Sequence, residues 1–207
     1  MNALTGDLAL MLERLERYSL PSTVALADAP QAAVLMPIIC QPEPALLLTL
    51  RASGLSTHGG EVAFPGGRFD QTDLNLQTTA LRESHEEVGL LADDVQLIRA
   101  MTPLVSRHGV HVTPFVGLIA PDIRYQPNEA EIAAVFNVPL KFFCSDPRQV
   151  THRIDYLGQS WYIPCYQYGS YKIWGLTAMM IVELVNVLFD RHLDLNRPLS
   201  LSAVDVS

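Results

Sequence analysis

The sequence predicts an α/β (α+β) fold in which a mixed β-sheet is sandwiched between helices. Short apolar runs flanked by turn residues, which are typical of strands, alternate with segments whose apolar residues recur at helical spacing. This order of elements favours a sheet with helices on both faces. At 207 residues, of which 49% are hydrophobic and 17% charged, the chain is long enough for one domain with a full core. We therefore expect a single domain over residues 1–207.

Three apolar runs in the first third of the chain predict the first strands. Residues 32–40 and 45–52 are each flanked by turn residues, a pattern typical of two strands that pair with each other. A third, short strand is predicted over residues 61–64. This strand delivers the chain directly into the glycine pair Gly66 and Gly67.

The remaining strands of the sheet are predicted by apolar segments at residues 95–101, 110–120 and 132–138. Pro114 lies inside one of these segments. Because proline cannot donate a hydrogen bond to a neighbouring strand, it predicts an edge position or a bulge. Residues 151–173 are rich in Tyr and Trp and predict a hairpin with turns at Gly158 and Gly169.

Helices are predicted at both ends of the chain. An N-terminal helix over residues 3–18 carries an apolar stripe at helical spacing, formed by Leu4, Leu8, Met11, Leu12 and Leu15. A last helix is predicted over residues 175–190, where Glu183 and Asn186 favour a buried or interface helix over a membrane span. Both helices carry more apolar surface than a lone domain needs, so we expect a homodimer.

A helix in the middle of the chain places three carboxylates on one turn. With Glu83 at 0° and about 100° per residue, Glu86 falls at about −60° and Glu87 at about +40°. Repulsion within such a group is relieved by a hard divalent cation, which predicts a Mg²⁺ or Mn²⁺ site. The alternative is a solvated acidic face with arginine partners. The apolar residues on the opposite side, which we expect in the core, are Leu74, Leu81 and Val88.

A glycine-rich loop precedes this helix. The run Phe64-Pro65-Gly66-Gly67 permits backbone conformations that are closed to other residues, so that a main-chain carbonyl can approach a metal ion or an amide can approach a phosphate oxygen. The loop therefore strengthens the metal hypothesis. Gly89 is predicted to end the helix in a left-handed conformation.

Together, the loop and the helix resemble the Nudix box, G-x5-E-x7-R-E-U-x-E-E-x-G-U, where U is a bulky aliphatic residue. The matching residues are Gly67, Arg82, Glu83, Glu86, Glu87, Gly89 and Leu90, so that the box spans residues 67–90. Three features depart from the pattern: Asp73 stands in place of the first glutamate, eight residues separate it from Arg82, and Ser84 replaces an aliphatic residue. We expect Asp73 to serve as the acid at the start of the helix.

A second signature, upstream of the box, resembles the branch of coenzyme A pyrophosphatases. The chain reads Leu47-Leu48-Thr49-Leu50-Arg51-Ala52 and then Gly60-Glu61-Val62-Ala63-Phe64-Pro65-Gly66-Gly67. Ser56 stands where this branch has an arginine. The resemblance covers about residues 32–190, and it implies an α/β/α sandwich with a mixed sheet.

The resemblance also implies roles for the residues of the box. Glu83, Glu86 and Glu87 would bind Mg²⁺ or Mn²⁺, together with the carbonyl oxygen of Gly67. Glu83 is in addition a candidate base, and Arg82 is expected to orient the glutamates through a bidentate bond. A further catalytic carboxylate is expected from a downstream loop, where either Glu129 or Glu131 fits.

Substrate contacts are expected from cations and amides near the glycine loop. Gly66 offers its amide, while Arg51 and His58 lie close to the missing arginine of the signature. Arg107, which follows a strand together with His108 and His111, is a further candidate for contact with a phosphate. The alternative for this last group is a solvated loop.

Three functions follow from the resemblance. The first is hydrolysis of the pyrophosphate of coenzyme A or its acyl derivatives into phosphopantetheine and adenosine 3',5'-bisphosphate. The second keeps the site and changes the substrate to ADP-ribose, a dinucleotide or a nucleoside triphosphate. The third is a non-catalytic Nudix module that senses a nucleotide, which the intact set of three glutamates disfavours.

Composition excludes several other classes of protein. The net charge of −8 and the lack of a lysine or arginine run argue against a nucleic-acid partner. No segment reaches 18 uninterrupted apolar residues, and the N-terminus lacks the basic region of a signal peptide, so we expect no membrane partner. Three scattered cysteines favour free thiols in the cytoplasm.

Overall fold

The computed structural model describes residues 6–20, 29–54, 58–156 and 158–196. The helices are α1 (Gly6–Arg17), α2 (Leu76–Val88), α3 (Leu140–Cys144) and α4 (Gly175–Phe189), and a 3₁₀ turn spans Ala92–Asp94. The strands are β1 (Gln31–Ile39), β2 (Ala45–Arg51), β3 (Val62–Ala63), β4 (Gly66–Arg68), β5 (Val95–Ala100), β6 (Leu104–Val105), β7 (His111–Ile119), β8 (Ile132–Pro139), β9 (Gln149–Tyr156), β10 (Gln159–Tyr168) and β11 (Tyr171–Trp174).

The central sheet has eight strands and is mixed, as predicted. Strands lie in the order β3-β2-β1-β7-β5, with β4 paired to β1, β6 to β7 and β8 to β2. Strands β1 and β7 run parallel over their whole length, from Gln31 opposite His111 to Ile39 opposite Ile119, and the other pairs are antiparallel. The parallel pair forms the middle of the sheet, where its nearly continuous apolar runs are covered on both faces.

Pro114 lies in the interior of the sheet, so the edge position predicted for it was wrong. Its strand, β7, has β1 on one side and both β5 and β6 on the other. The proline falls in the gap between these two partners, because β5 ends opposite Phe115 and β6 begins opposite Val112. The lost donor therefore leaves no neighbouring strand without its hydrogen bond. A bulge does occur nearby, between Leu97 and Arg99 of β5.

Two hydrophobic cores cover the two faces of the sheet, which confirms the sandwich. On one face, Ala80 and Val88 of α2 pack with Leu35 of β1 and Leu47 of β2. On the other face, α1 and α4 pack on the sheet together with residues of β10 and β11. The alternation of side chains along β1 divides the strand between the two cores, since Leu35 faces one and Met36 the other.

The predicted hairpin at residues 151–173 is a three-stranded antiparallel sheet in the order β11-β10-β9. Gly158 and Gly169 turn the chain with φ of 76° and 57°, as expected. Tyr166 of β10 belongs to the core, because it is fully buried and contacts Phe143 edge to face. The structure also contains β4, β6 and α3, which are too short to give a periodic sequence pattern.

The apolar stripe of α1 is covered within the chain. Leu8 and Leu15 are buried against α4, whose Leu188 and Val185 belong to the same core. Because α1 and α4 pack against each other, their apolar surfaces no longer argue for a homodimer. The homodimer itself stays a prediction. Residues 3–5 of the predicted helix lie outside the described part of the chain.

None of the helices in the described residues is both long and apolar enough to cross a membrane. The three cysteines are free thiols: Cys165 is buried, and Cys40 and Cys144 are half-buried.

A polar network joins Tyr18, directly after α1, to Glu183 of α4 and to Thr102. The hydroxyl of Tyr18 donates to Oε1 of Glu183 at 2.5 Å, and the backbone N–H of Thr102 donates to the same oxygen at 3.3 Å. Burial and the hydrogen bond to Glu183 raise the pKa of Tyr18 to about 12. Because the tyrosine proton lies toward Glu183, the hydroxyl of Thr102, at 2.7 Å, donates to the tyrosine oxygen.

We predict that Tyr18→Phe lowers the free energy of unfolding by about 1.5 kcal/mol, since Glu183 loses a charged hydrogen bond but keeps the Thr102 amide. Urea unfolding followed by circular dichroism measures this loss. Glu13→Gln serves as the control on the same helix, because it removes an exposed ion pair with Arg17 and should cost no more than about 0.5 kcal/mol. Equal losses for the two variants would contradict the role of Tyr18.

Candidate active site

Helix α2 has a defined cap at each end. Its N-cap is Asn75, whose side-chain oxygen accepts the N–H of Thr78 at 3.0 Å. At the other end Gly89 adopts the predicted left-handed conformation, with φ of 71° and ψ of 18°, and its N–H donates to His85. The caps fix the length of the helix, and therefore which side chains face the sheet.

Packing of α2 on the sheet differs from the predicted apolar side. Val88 is fully buried as expected and Leu81 is half-buried, but Leu74 is 90% exposed. The prediction for Leu74 was wrong because the helix begins two residues later, so that helical angles do not apply to it. Ser84 is buried in place of an aliphatic residue, and its hydroxyl donates to the carbonyl of Ala80 at 2.6 Å.

Asp73 does not cap the helix, which corrects the role expected for it. Its carboxylate is buried and accepts two bonds from Arg82, from Nε at 2.9 Å and from Nη2 at 3.0 Å. The hydroxyl of Thr79 and the N–H of Asp70 donate to the same group. Its hydrogen bonds to Arg82 hold the pKa of Asp73 well below its usual range. Asp73 therefore anchors Arg82.

Arg82 links this anchor to two glutamates. Its Nη1 donates to Glu83 at 2.9 Å and to Glu86 at 3.1 Å, and its Nη2 also donates to the carbonyl of Arg68 at 3.2 Å. The expected bidentate bond thus goes to Asp73, while the glutamates each receive a single bond. In this way one guanidinium orients three carboxylates.

Glu83 lies against the glycine loop. A Cβ atom added to Gly67 would lie only 2.3 Å from the carboxyl carbon of Glu83, so no larger residue fits there without displacing the carboxylate. Burial is the main cause that raises the pKa of Glu83 above its usual value. The negative charges of Glu86 and Glu131 add to this effect, while Arg82 opposes it.

The negative charge of Glu131 contributes to the raised pKa of Glu83. This effect favours Glu131 over Glu129 as the downstream carboxylate. Glu131 is half-buried at the start of β8, and its backbone carbonyl accepts the N–H of Ala52 at 2.7 Å. Glu129 is exposed. The loop before Glu131 is tied to α2, because the N–H of Asn128 donates to the carbonyl of Glu87 at 2.9 Å.

Glu87 does not share an exposed face with Glu83 and Glu86. The prediction of one acidic face formed by all three glutamates was therefore wrong. Its side chain is 3% exposed, and its two oxygens accept from Nη1 of Arg51 at 2.8 Å and from the N–H of Gly66 at 3.1 Å. Burial raises the pKa of Glu87 to about 7, against the opposing effect of these two donors. At about +40° its side chain turns toward the sheet, whereas Glu86 turns toward solvent.

This arrangement also changes what Arg51 and Gly66 offer to a substrate. The guanidinium of Arg51 is paired with Glu87 and only 22% of its side chain is exposed. The amide of Gly66, expected to contact phosphate, donates to Glu87 instead. Neither contact could be predicted from local sequence, since 36 residues separate Arg51 from Glu87 and 21 separate Gly66 from Glu87.

His58 and Arg107 lie in turns that the fold brings together. The rings of His58 and His108 have their centroids 6.3 Å apart, and Nε of Arg107 donates to Nε2 of His108 at 3.0 Å. Nδ1 of His58 is 2.8 Å from a carboxylate oxygen of Glu61. These exposed side chains form a cluster of His58, Arg107 and His108, which we call the basic rim.

A cavity of about 450 Å³ opens beside the acidic side of α2, lined by Arg68, Phe69, Asp70, Thr72, Arg82, Glu83 and Glu86. Sequence reasoning missed the segment from Arg68 to Thr72, which forms the wall opposite the helix. Its turn-forming residues directly after the glycine pair were the available signal.

Among the described residues, no three His, Cys, Asp or Glu side chains form a ready-made metal site. Arginines hold the carboxylates instead. The donor chemistry nevertheless fits a hard divalent cation, because Glu83, Glu86 and Glu131 are oxygen donors whose charges repel one another.

Comparison with known proteins identifies the family. A model of the NUDIX domain matches residues 29–154. An uncharacterized Nudix hydrolase, NudL, of Pectobacterium atrosepticum is 44% identical over 180 residues, which cover 83% of this chain and 89% of the relative. A NudL of Yersinia pestis, also uncharacterized, is 46% identical over 154 residues, or 74% of this chain and 77% of that protein.

A solved structure shares the fold. The crystal structure of a MutT/nudix family protein from Enterococcus faecalis superposes with a TM-score of 0.54 at 15% identity, over 89% of this chain and 70% of the other. The domain match and the identity to NudL proteins show more than the fold. The chain belongs to the Nudix family and is a Nudix hydrolase, one of a family of pyrophosphohydrolases that generally use divalent metal ions.

Proposed function

We propose that the protein hydrolyses the pyrophosphate bond of coenzyme A or acyl-coenzyme A in the presence of Mg²⁺ or Mn²⁺. The observation that carries the proposal is that residues of the upstream signature contact a carboxylate of the Nudix box. Arg51 and Gly66 belong to the segment that resembles coenzyme A pyrophosphatases, and both donate to Glu87 of the Nudix box. The upstream segment is therefore a wall of the same site.

The reaction adds water across a phosphoanhydride. The water oxygen forms a bond to one phosphorus atom, the bridging P–O bond breaks, and the products are 4'-phosphopantetheine, or its acyl form, and adenosine 3',5'-bisphosphate. Glu83, Glu86 and the carbonyl of Gly67 would hold the metal ion, while Glu87, expected from the sequence as a further ligand, has both oxygens occupied by Arg51 and the Gly66 N–H. When bound, the ion would neutralise phosphate charge and make water more acidic.

The chain's own groups have distinct tasks in this proposal. Glu83, which lies against the glycine loop, accepts the proton of the attacking water. Arg82 keeps Glu83 and Glu86 in place through its anchor, Asp73. Glu131 contributes a further carboxylate on the same side.

The basic rim is the part of the site that we assign to the 3'-phosphate of coenzyme A. His58, Arg107 and His108 are exposed and close to one another, and they can donate to a phosphate monoester. Arg51, the other candidate, lies at the end of β2, the strand that leads into the turn at His58.

A second substrate class keeps the same catalytic groups: ADP-ribose, dinucleotides or nucleoside triphosphates. This second class is favoured by Ser56, which stands in place of the arginine of the coenzyme A signature. Ser56 lies outside the described part of the chain. A panel of coenzyme A, dephospho-coenzyme A, ADP-ribose, NADH and nucleoside triphosphates, with products identified by mass spectrometry, separates the two classes.

Removal of metal is expected to abolish activity, because the carboxylates of Glu83, Glu86 and Glu131 repel the pyrophosphate unless a bound cation neutralises its charge. Protein treated with EDTA and then freed of chelator should cleave no substrate above background, and added Mg²⁺ or Mn²⁺ should restore cleavage. Undiminished hydrolysis by the metal-free protein would contradict the mechanism.

Glu83→Gln is expected to lower kcat by about 10²-fold or more, since it removes both a base and a metal ligand with almost no change in volume. The matched control is Glu129→Gln, an exposed glutamate that should retain activity within about two-fold. Steady-state kinetics on both variants, with circular dichroism to verify the fold, decide the matter. A Glu83→Gln enzyme as active as the control would place the chemistry elsewhere.

Coenzyme A is expected to be cleaved in preference to dephospho-coenzyme A, because only coenzyme A carries the 3'-phosphate that we assign to the basic rim. Arg107→Ala should lower kcat/KM for coenzyme A by about 10-fold or more, the equivalent of one charged hydrogen bond, with little effect on the dephospho compound. Equal cleavage of both compounds by the unmodified enzyme would overturn the coenzyme A assignment and leave the general pyrophosphohydrolase.

A further inference from the structure

We propose that Arg51 is a positioning residue, which holds the carboxylate of Glu87 so that Glu87 fixes the backbone of the glycine loop. This inference deepens the proposed function. It rests on that function only for its effect on catalysis, since the contacts themselves belong to the metal-free protein. It also replaces the expectation that Arg51 acts by direct contact with a phosphate.

Three segments that are distant in sequence meet at this carboxylate. Arg51 is the last residue of β2, Glu87 lies in the last turn of α2, and Gly66 begins β4. Each oxygen of Glu87 serves a different segment, since Oε1 accepts from Nη1 of Arg51 at 2.8 Å and Oε2 accepts from the Gly66 N–H at 3.1 Å. The glutamate is thus a bridge between the sheet and the loop.

The bridge depends on the ion pair between the Glu87 carboxylate and Arg51. The Glu87 side chain is 3% exposed, and a buried carboxylate without a cationic partner is strongly destabilising. Within the described residues, Arg51 is the cation in ion-pair contact with Glu87. Without Arg51, the carboxylate would have to turn toward water or take up a proton, and the Gly66 N–H would receive a weaker acceptor or none.

The loop that Glu87 holds has little room to move. A Cβ atom on Gly66 would lie 2.4 Å from the carbonyl oxygen of Ala33 in β1, and one on Gly67 would meet the carboxylate of Glu83. The loop is therefore wedged between the central sheet and α2. A shift of its backbone displaces both the Gly67 carbonyl and the Glu83 carboxylate, which are the groups assigned to the metal and the proton.

Direct phosphate binding by Arg51 makes different predictions. An arginine that contacts substrate affects KM and the choice between substrates, and its loss leaves the stability of the substrate-free protein nearly unchanged. An arginine that acts through Glu87 affects the stability of the metal-free protein, and it does so only while the carboxylate is present.

The first test is a double-mutant cycle on the full-length protein in EDTA without substrate, with Arg51→Met, Glu87→Gln and the combined variant. Arg51→Met should lower the unfolding temperature by about 6 °C or more, and by less than about 2 °C in the Glu87→Gln background. Arg51→Lys, which keeps one charged donor, should fall between the unmodified protein and Arg51→Met and provides the measurement if the latter does not fold. Equal shifts in both backgrounds would overturn the proposal.

The second test is kinetic, with saturating Mg²⁺. Arg51→Lys and Arg51→Met should lower kcat by about 10-fold or more through misplacement of the loop, while KM for coenzyme A and for dephospho-coenzyme A changes by less than about three-fold. Arg124→Met, an exposed arginine outside the site, is the matched control and should match the unmodified enzyme. A selective rise of KM for coenzyme A with kcat intact would assign Arg51 to the substrate instead.

Failure of this inference and failure of the proposed function give different results. If the enzyme cleaves coenzyme A but the cycle shows no coupling, the positioning role is wrong. If the cycle shows coupling and coenzyme A is not cleaved, the contact is supported and the substrate assignment fails. The kinetic test is then run with the substrate that the panel identifies.

Discussion

Pairing of buried carboxylates with arginine is the interaction on which the rest of the site depends. Helix α2 must bury one side to hold the sheet, yet it carries glutamates whose charges repel one another. Two arginines resolve this conflict from different directions. Arg82 comes from the helix itself and is anchored by Asp73, whereas Arg51 comes from the sheet. The helix can therefore be both a structural wall and a carrier of reactive groups.

The same pairing explains why the glycine pair is required. Gly66 and Gly67 pass between β1 and the carboxylates with no space for a side chain on either Cα atom. The backbone of the loop adds a further partner for one of the glutamates, because the Gly66 N–H donates to Glu87. Functional geometry here is consequently set by the distance between the sheet and α2, and that distance is held by the apolar packing of Ala80 and Val88.

The sequence predicted the elements of this fold well and their contacts less well. Periodic patterns located the long strands, both terminal helices and the Gly89 cap, because these depend on local residue preferences. Leu74 and Asp73 were misplaced because Asp70, Thr72, Asp73 and Asn75 can all cap a helix, and only the contact of Asp73 with Arg82 in the folded chain leaves Asn75 as the cap. Pro114 was misjudged because the pairing of β5 and β6 with its strand, β7, is a tertiary contact that the local sequence does not show.

The candidate site shows the same division between local and tertiary information. Motif spacing brought Glu83, Glu86 and Glu87 to one turn, but it did not show that Glu87 faces the sheet and the other two face a cavity. The partners of Arg51 and Gly66 come from segments that only the complete fold brings together. The preference for Glu131 over Glu129 likewise required the position of β8.

The hydrogen bond between Asn128 and the end of α2 has a consequence for how the site meets its substrate. The loop that carries Glu131 is tied to the same helix turn that carries Glu87, so the two carboxylates hold their separation before any ligand arrives. The conformational entropy of ordering that loop is then lost when the chain folds rather than when substrate binds. Binding of a diphosphate substrate therefore costs less conformational entropy, because the segment that carries Glu131 does not have to be ordered at that step.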